Sequence, residues 1–356
     1  MTAREKIIGV LDAHGADCAL FLDDVSRQYL TRFAFTDGAV VADRNGTRML
    51  VDSRYFFAAK DAAARGALFD DVRPELFESS LIGALSPLNG KRVLLDSGRI
   101  TVRMLERLRA SLPGSEFVTA DGVCDEARRI KDGFELERIK RAQSITDAAF
   151  AHILTVIKRG MTEKQVAAEL EYFCRRSGAD GMAFDTIAVS GLKSAYPHGV
   201  PGDEPLSDNA FITMDFGAKV DGYCSDMTRT VVLGKADGRM KEIYATVLEA
   251  QRRAIEAVHA GVTGAQVDGA ARSYIDGAGY RGAFGHSTGH SLGLEIHERP
   301  AFSSANHEPV AAGTVMTAEP GIYIEGVGGV RIEDMVVVTD GGCEDLTASP
   351  KELIEL

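Results

Sequence analysis

A chain of 356 residues exceeds the usual span of one domain, so two are expected, and 45% hydrophobic with 26% charged residues is an ordinary globular balance. The net charge of −12 argues against a phosphate-binding surface and so against a nucleic-acid partner. No run approaches the roughly 20 apolar residues that span a bilayer. The five cysteines lie at least 50 positions apart with no C-x-x-C pair, which suits buried thiols in a reducing, cytoplasmic compartment.

In chain order, "MTAREKIIGVLDAHG" predicts a helix to about Gly15, charged at both ends and unlike a secretory signal. "CALFL" reads as a strand. Asn45-Gly46, between "AVVAD" and "TRMLVD", predicts a hairpin turn and accounts for the sequon there. A helix follows "VDSRY", then the strand "RVLLD" and the helix "TVRMLERLRASL". This alternation predicts an α/β domain over 1–125, with its boundary within 121–132. "KDGFELERIKRAQSITDAAFAHILTVIKRG" then opens a long amphipathic helix, with Asp132 as its cap and Ile139, Ala142, Ala149, Ile153 and Val156 near one face.

The second part, 126–356, contains itself twice. "RGMTEKQVAAELEYFCRRSGA" and "AGVTGAQVDGAARSYIDGAGY" align at an offset of 101, matching Gly160 with Gly261, Thr162 with Thr263, Gln165 with Gln266 and Val166 with Val267. Both carry the T-x-x-Q capping box of a helix start. Each is followed by a strand-turn-strand block with an acidic pair. "TMDFG" matches "TAEPG", pairing Asp215 with Glu319 at an offset of 104, and "SDMT" matches "IEDM", pairing Asp226 with Glu333 at 107. Two related α/β halves would thus face each other, each giving two carboxylates to the seam.

A lone acid is most often a surface or ion-paired group. Four in apolar strands are different, because a buried carboxylate without partners costs several kcal/mol or takes up a proton. Arg229 and Arg331 are the nearest cations in sequence, whereas two divalent ions would balance four carboxylates. Five of the eight histidines fall in the same segments: His198 in "SAYPHG", His286, His290 and His297 in "FGHSTGHSLGLEIHERP", and His307 beyond. Glycine beside such residues lets backbone approach a ligand closely. His198 and His297, 99 positions apart, would occupy related places in the two halves. "GHSTG" satisfies G-x-S-x-G, but no buried strand precedes it, which counts against a Ser287 nucleophile. No H-E-x-x-H, P-loop or G-x-G-x-x-G pattern occurs.

The ordered blocks "AVSGLKSAYPHG", "MDFGAKVDGYCSDMTRT", "GHSTGHSLGLEIHERP", "AEPGIYIEG" and "RIEDMVVVT" resemble the pita-bread metallopeptidases, the family of aminopeptidase P, prolidase and methionine aminopeptidase. "YLTRFAFTDG" and "VDSRYFFAAKDAA" resemble the creatinase/prolidase N-terminal domain, which methionine aminopeptidases usually lack, so the Xaa-Pro branch is favoured. The resemblance implies an α/β (α+β) chain, with an N-terminal creatinase/prolidase-type domain and a pita-bread domain of pseudo-twofold halves. It also implies two divalent ions (Mn²⁺, Co²⁺, Zn²⁺ or Fe²⁺) on Asp215, Asp226, His290, Glu319 and Glu333. Asp226 and Glu333 would bridge both ions, Asp215 would hold one, and His290 with Glu319 the other. His198 and His297 match residues that contact substrate and stabilise the tetrahedral intermediate, and Glu319 matches the acid that moves the proton of the attacking water. His286, Tyr223 and Arg331 look like substrate-side or supporting residues.

The implied activity is hydrolysis of the Xaa-Pro bond of di- or oligopeptides by a hydroxide held between the ions, in a homodimer. Some prolidases carry Arg after the proline of H-E-x-P. Ala301 stands there in this chain, which puts strict dipeptide preference in question. The alternatives are a non-peptidase hydrolase or lyase on the same scaffold, or a metal-stabilised binding protein without turnover.

Overall fold

The computed structural model describes residues 3–356; Met1 and Thr2, the start of the first expected helix, lie outside it. The chain forms two compact units that divide between Arg128 and Arg129. The first unit runs α1 (Ala3–His14), β1 (Cys18–Phe21), α2 (Asp24–Thr31), β2 (Gly38–Asp43), β3 (Gly46–Val51) and α3 (Ser53–Ala64). It continues through β4 (Val72–Leu76), α4 (Leu81–Ala84), β5 (Arg92–Asp96), α5 (Val102–Ser111) and β6 (Glu116–Ala120), with α6 (Asp125–Arg129) across the division. Its sheet has the order β4-β3-β2-β1-β5-β6, antiparallel among β1 to β3 and parallel elsewhere.

Two features differ from the sequence reading. The β2–β3 hairpin is present, but Asp43 pairs with Gly46, so Arg44 and Asn45 form the turn, one residue earlier than expected. The Asp43 carboxylate causes the shift by accepting the backbone N–H groups of Asn45 (2.7 Å) and Gly46 (3.2 Å). Helix α2 was not expected at all. Asp23 caps it, and its buried face includes Arg27, whose guanidinium donates to the carbonyls of Gly38 (2.8 Å) and Thr36 (2.9 Å). A helix that buries an arginine carries little apolar periodicity to read.

The second unit opens with α7 (Gly133–Val156) and α8 (Glu163–Arg176), then β7 (Gly181–Met182), β8 (Ile187–Ser190), β9 (Ala210–Phe216), β10 (Ala218–Val220), β11 (Tyr223–Cys224) and β12 (Met227–Leu233). The repeat follows with α9 (Gly238–Glu256), α10 (Gly264–Ile275), β13 (Gly289–Ser291), β14 (Glu298–Phe302), β15 (Val315–Ala318), β16 (Gly321–Ile324), β17 (Gly328–Arg331), β18 (Asp334–Thr339) and β19 (Gly342–Asp345). The main sheets are β12-β9-β8 and β14-β13-β15-β18-β19, with small β11-β10-β7 and β16-β17 ribbons beside them. Asp132 and Glu135 close a reciprocal capping box on α7, Thr162 and Gln165 on α8, and Thr263 and Gln266 on α10. The repeat extends to single bridges, Thr162 to Pro205 and Thr263 to Pro309.

Each half has its own core. Ala142, Ala149, Val166, Ile212, Met214, Phe216 and Met227 belong to one; Val247, Val267, Met316, Ala318, Val336 and Val338 belong to the other. Strand alternation then fixes where the polar residues go. In β9, Ile212, Met214 and Phe216 enter the first core, so Thr213 and Asp215 face away from it. In β15 and β18, Met316, Ala318, Val336 and Val338 enter the second core, so Thr317, Glu319 and Glu333 fall on the opposite side.

Removing the α7 cap by Asp132→Ala should cost about 1 kcal/mol and lower Tm by about 2–4 °C in calorimetry; an unchanged Tm would show the box to be idle. Burial pushes the thiols of Cys124, Cys174 and Cys224 up to about 12. Iodoacetamide at pH 8 should therefore modify these three only after unfolding, which peptide mass spectrometry reads directly.

Candidate metal centre

Asp215 near the end of β9, Asp226 before β12, Glu319 after β15 and Glu333 before β18 meet on the seam between the halves, with His290 at the centre of β13. Asp226 and Glu333 are 4% and 1% exposed. Ligand-type atoms of Asp226, His290 and Glu333 lie within 4.8 Å of one another. His290 Nε2 is 3.5 Å from Asp226 Oδ2 and 3.4 Å from Glu319 Oε1. Gly289 makes this approach possible, because a Cβ there would sit 1.9 Å from the Thr317 carbonyl oxygen.

Asp215 and Glu333 are each anchored by one oxygen and leave the other unpaired. Arg331 Nη2 donates to Asp215 Oδ2 (2.6 Å), and Thr228 Oγ1 donates to Glu333 Oε2 (2.7 Å). Asp215 Oδ1 and Glu333 Oε1 are buried without a hydrogen-bond partner. An orphaned buried acceptor is costly, so these two atoms ask for a ligand. His290 makes the same demand. Its Nδ1 is 3.2 Å from the Ser291 carbonyl, which can only accept, so Nδ1 carries the proton. Burial holds the ring's pKa below the ordinary value, so the ring is neutral and the Nε2 lone pair faces two carboxylates. A histidine that gives its second N–H to a carbonyl and aims a lone pair at acids has the arrangement of a metal ligand.

Without cations the cluster is out of balance. Burial, then the charges of Glu333, Asp215 and Glu319, push Asp226 well above the usual carboxylate range. Burial, then Glu319 and Asp215, do the same to Glu333. Burial and Asp215 outweigh the opposing Arg331 to push Glu319 up to about 7. Oxygen-rich donors with one imidazole fit a divalent cation, and the charge is of the right sign.

The cluster lies at the floor of a cavity of about 560 Å³. His198, His286, His290, His297 and Arg331 line it together with all four acids. His198 and His297 are exposed, as groups that meet a substrate must be. Burial first, then the neighbouring His290, lower the His297 pKa. Tyr223 is not brought to the cavity; its hydroxyl points to Glu135 Oε1 at 3.3 Å. His307 is exposed and also lies outside the lining. Ser287 does line the cavity, on a loop with no strand before it.

Several supporting residues escaped the sequence reading. Arg331 Nη1 donates to the Tyr323 hydroxyl (2.7 Å), which lies 2.8 Å from His286 Nε2. His286 Nδ1 gives its proton to the Ser287 carbonyl (2.8 Å), so Tyr323 donates to Nε2; burial, helped by Arg331, lowers that ring to about 4 and keeps it neutral. Thr228 also accepts from Arg331 Nε (3.0 Å), and Thr317 donates to Glu319 Oε1 (3.2 Å). Both threonines lie two positions from an acid of the cluster, a period-2 signal that could have found them. Asp268 accepts from Thr288 and forms a bidentate pair with Arg272, whose guanidinium holds the carbonyls of Phe284 and His286, each at 2.7 Å. The i,i+4 spacing of Asp268 and Arg272 on α10 could have announced the pair, but not its hold on residues 284–288.

If repulsion sets this balance, Glu333→Gln should raise the Tm of the chelator-treated protein by about 2–4 °C. A fall in Tm under those conditions would mean that the acids are not in conflict.

Metallopeptidase family M24 matches residues 137–340, and the creatinase/prolidase N-terminal domain matches residues 4–130. The chain is 37% identical over 352 residues to the uncharacterized peptidase YqhT of Bacillus subtilis, covering 99% of each. A solved Xaa-Pro dipeptidase from Bacillus anthracis superimposes with TM-score 0.94 at 38% identity, covering 99% of both chains. An X-Pro aminopeptidase from Thermotoga maritima does so with TM-score 0.90 at 37% identity, covering 100% of both. The carboxylates and the imidazole lie on the seam of the duplicated second unit, and that unit is what the M24 model matches: the chain is a member of metallopeptidase family M24.

Proposed function

We propose that the protein is an Xaa-Pro exopeptidase that needs two divalent ions, held by Asp215, Asp226, His290, Glu319 and Glu333. The observation that carries this reading is the pair of orphaned acceptors, Asp215 Oδ1 and Glu333 Oε1, on a seam shared with Asp226, Glu319 and the lone pair of the His290 imidazole. When bound, such ions lower the pKa of a water and polarise a carbonyl.

The chain's own residues supply the rest. Arg331 and Thr228 fix the outer oxygens of Asp215 and Glu333, so the inner oxygens present themselves without reorganisation. His198 and His297 line the cavity and are exposed, so an imidazole N–H can donate to the oxygen of the scissile carbonyl as charge develops on it. Glu319, held by Thr317, takes the proton of the attacking water and delivers it to the proline nitrogen, which must be protonated to leave. A tertiary amide has no N–H to recognise, so the cavity has to select the ring by shape. Phe184, Ile187, Pro197, Val200 and Ile296 give it apolar walls. The names of the Bacillus anthracis and Thermotoga maritima structures support this substrate choice.

The test is chelation followed by reconstitution with Mn²⁺, Co²⁺, Zn²⁺ or Fe²⁺, with metal content and Xaa-Pro hydrolysis measured together. Activity should vanish with the metal and return at two ions per chain; hydrolysis that persists in metal-free protein would overturn the proposal. Asp226→Asn should lower kcat/KM by about 10³-fold and reduce bound metal. His297→Ala should lower kcat by about 10²-fold with metal content unchanged, and loss of metal would instead make it a ligand.

A further inference from the structure

Three features of the cavity wall bear on what else it can hold. Thr186 lines the cavity at 5% exposure, and its hydroxyl has no hydrogen-bond partner. A buried hydroxyl left alone is unfavourable, so a turn of the Thr186 side chain toward a donor in the cavity would be favoured. Beside it, Asp185 lines the same cavity, is exposed, and forms no ion pair or side-chain hydrogen bond among the described residues. It is the one acid of the lining outside the four-carboxylate cluster.

The third feature concerns cations. Arg331 is the one arginine in the lining, no lysine lines it, and each guanidinium nitrogen of Arg331 is engaged, by Asp215, Tyr323 and Thr228. Lys193, on the turn after β8, is held away by Glu163 at 2.6 Å. Ala301 adds no charge. The wall therefore offers an unpaired carboxylate and an unpaired hydroxyl, with no cation to neutralise them. Two residues further along, Ile187 pairs across the sheet with Asp215, so Asp185 starts within about 7 Å of backbone from that partner of the cluster.

We infer that Asp185 and Thr186 form a cation subsite, which takes the ammonium or guanidinium of a lysine or arginine next to the substrate's proline, on either side of it. The inference rests on the Xaa-Pro reading and narrows its substrate class. An ammonium has three donors; the Asp185 carboxylate accepts from it with charge assistance and the Thr186 oxygen supplies a second acceptor. An acidic side chain, or the free carboxylate of a dipeptide, finds no unpaired lysine or arginine in this lining and meets a like charge at Asp185.

The experiment compares C-terminally amidated peptides on Mn²⁺-loaded protein at pH 8, above the ordinary imidazole range. Lys-Pro-Ala is set against norleucine-Pro-Ala and Glu-Pro-Ala, and Ala-Pro-Lys against Ala-Pro-norleucine. At one of the two positions lysine should exceed norleucine in kcat/KM by about tenfold. Asp185→Asn should bring that ratio within about twofold, and Thr186→Val should reduce it about threefold. Equal rates for lysine and norleucine at both positions, or a ratio unchanged in Asp185→Asn, would overturn the subsite. A merely structural role for Asp185 would lower both rates and leave their ratio intact. Calorimetric binding of the same peptides separates the two readings. If no peptide is cleaved, the Xaa-Pro proposal fails, yet tighter binding of lysine peptides that disappears in Asp185→Asn still supports the subsite. Equal affinities overturn it.

Discussion

Arg331 and Thr228 each hold one oxygen of a seam carboxylate, and the opposite oxygens face inward with nothing to accept from. That half-satisfied state organises the second unit. Four acids must share one buried face because strand alternation leaves them no other side: Ile212, Met214 and Phe216 claim the first core, and Met316, Val336 and Val338 claim the second. The adjacent threonines Thr213, Thr228, Thr230 and Thr317 line the same face. They give the seam short donors, but no compensating charge.

Asp334 shows that the fold can neutralise a buried acid when it needs to. It is the next residue after Glu333, on the opposite face of the strand, and fully buried. Arg229 donates to its Oδ1 at 2.7 Å, Gln251 to its Oδ2 at 2.7 Å, and Lys351 pairs with it as well. Burial opposes ionisation there, but the charges of Arg229 and Lys351 prevail and hold the carboxyl below its usual range. Glu333 has a hydroxyl where Asp334 has two cations, and its pKa moves the other way. Neighbouring acids of nearly equal burial are thus treated oppositely, and the seam lacks the positive charge that the chain supplies to Asp334. Arg229 also ties the two strands together, through the carbonyls of Glu333 at 2.6 Å and Thr228 at 3.0 Å. The backbone that aims the cluster is thereby independent of what the cluster binds.

Much of this could be read from the sequence because it depends on short-range pattern. The T-x-x-Q pairs at Thr162 and Thr263 and the Asp132 cap are local devices, and each forms in the structure. The four acids and His290 stood out through repetition and neighbouring glycines. The Asp268–Arg272 pair is an i,i+4 pair on α10, but its reach to Phe284, His286 and Thr288, like the Arg331–Tyr323–His286 chain, was not legible, since each joins segments that only the folded topology brings together. Helix α2 was missed for another reason: it buries a hydrogen-bonded arginine where a pattern search expects a hydrophobe.

Tyr223 and Tyr323 show how the duplicated halves came to differ. The helix starts keep an offset of 101, whereas the acids stand at 104 and then 107, so the second half is longer in two places. One difference lies between the capping box and the bridging proline, because Pro205 corresponds to Pro309. The other lies between the two acids, eleven positions apart in the first half and fourteen in the second. In the first half that span holds the tight β10–β11 hairpin, turned by Asp221 and Gly222, both with positive φ, and Tyr223 leaves it toward Glu135. In the second half it holds the longer β16–β17 ribbon, from which Tyr323 and Arg331 reach back to His286 and Asp215. The two halves supply matching acids, but Asp215 is held by Arg331 of the longer ribbon and Glu333 by the Thr228 hydroxyl of the first half, so the pseudo-symmetry of the ligands does not extend to the residues that hold them.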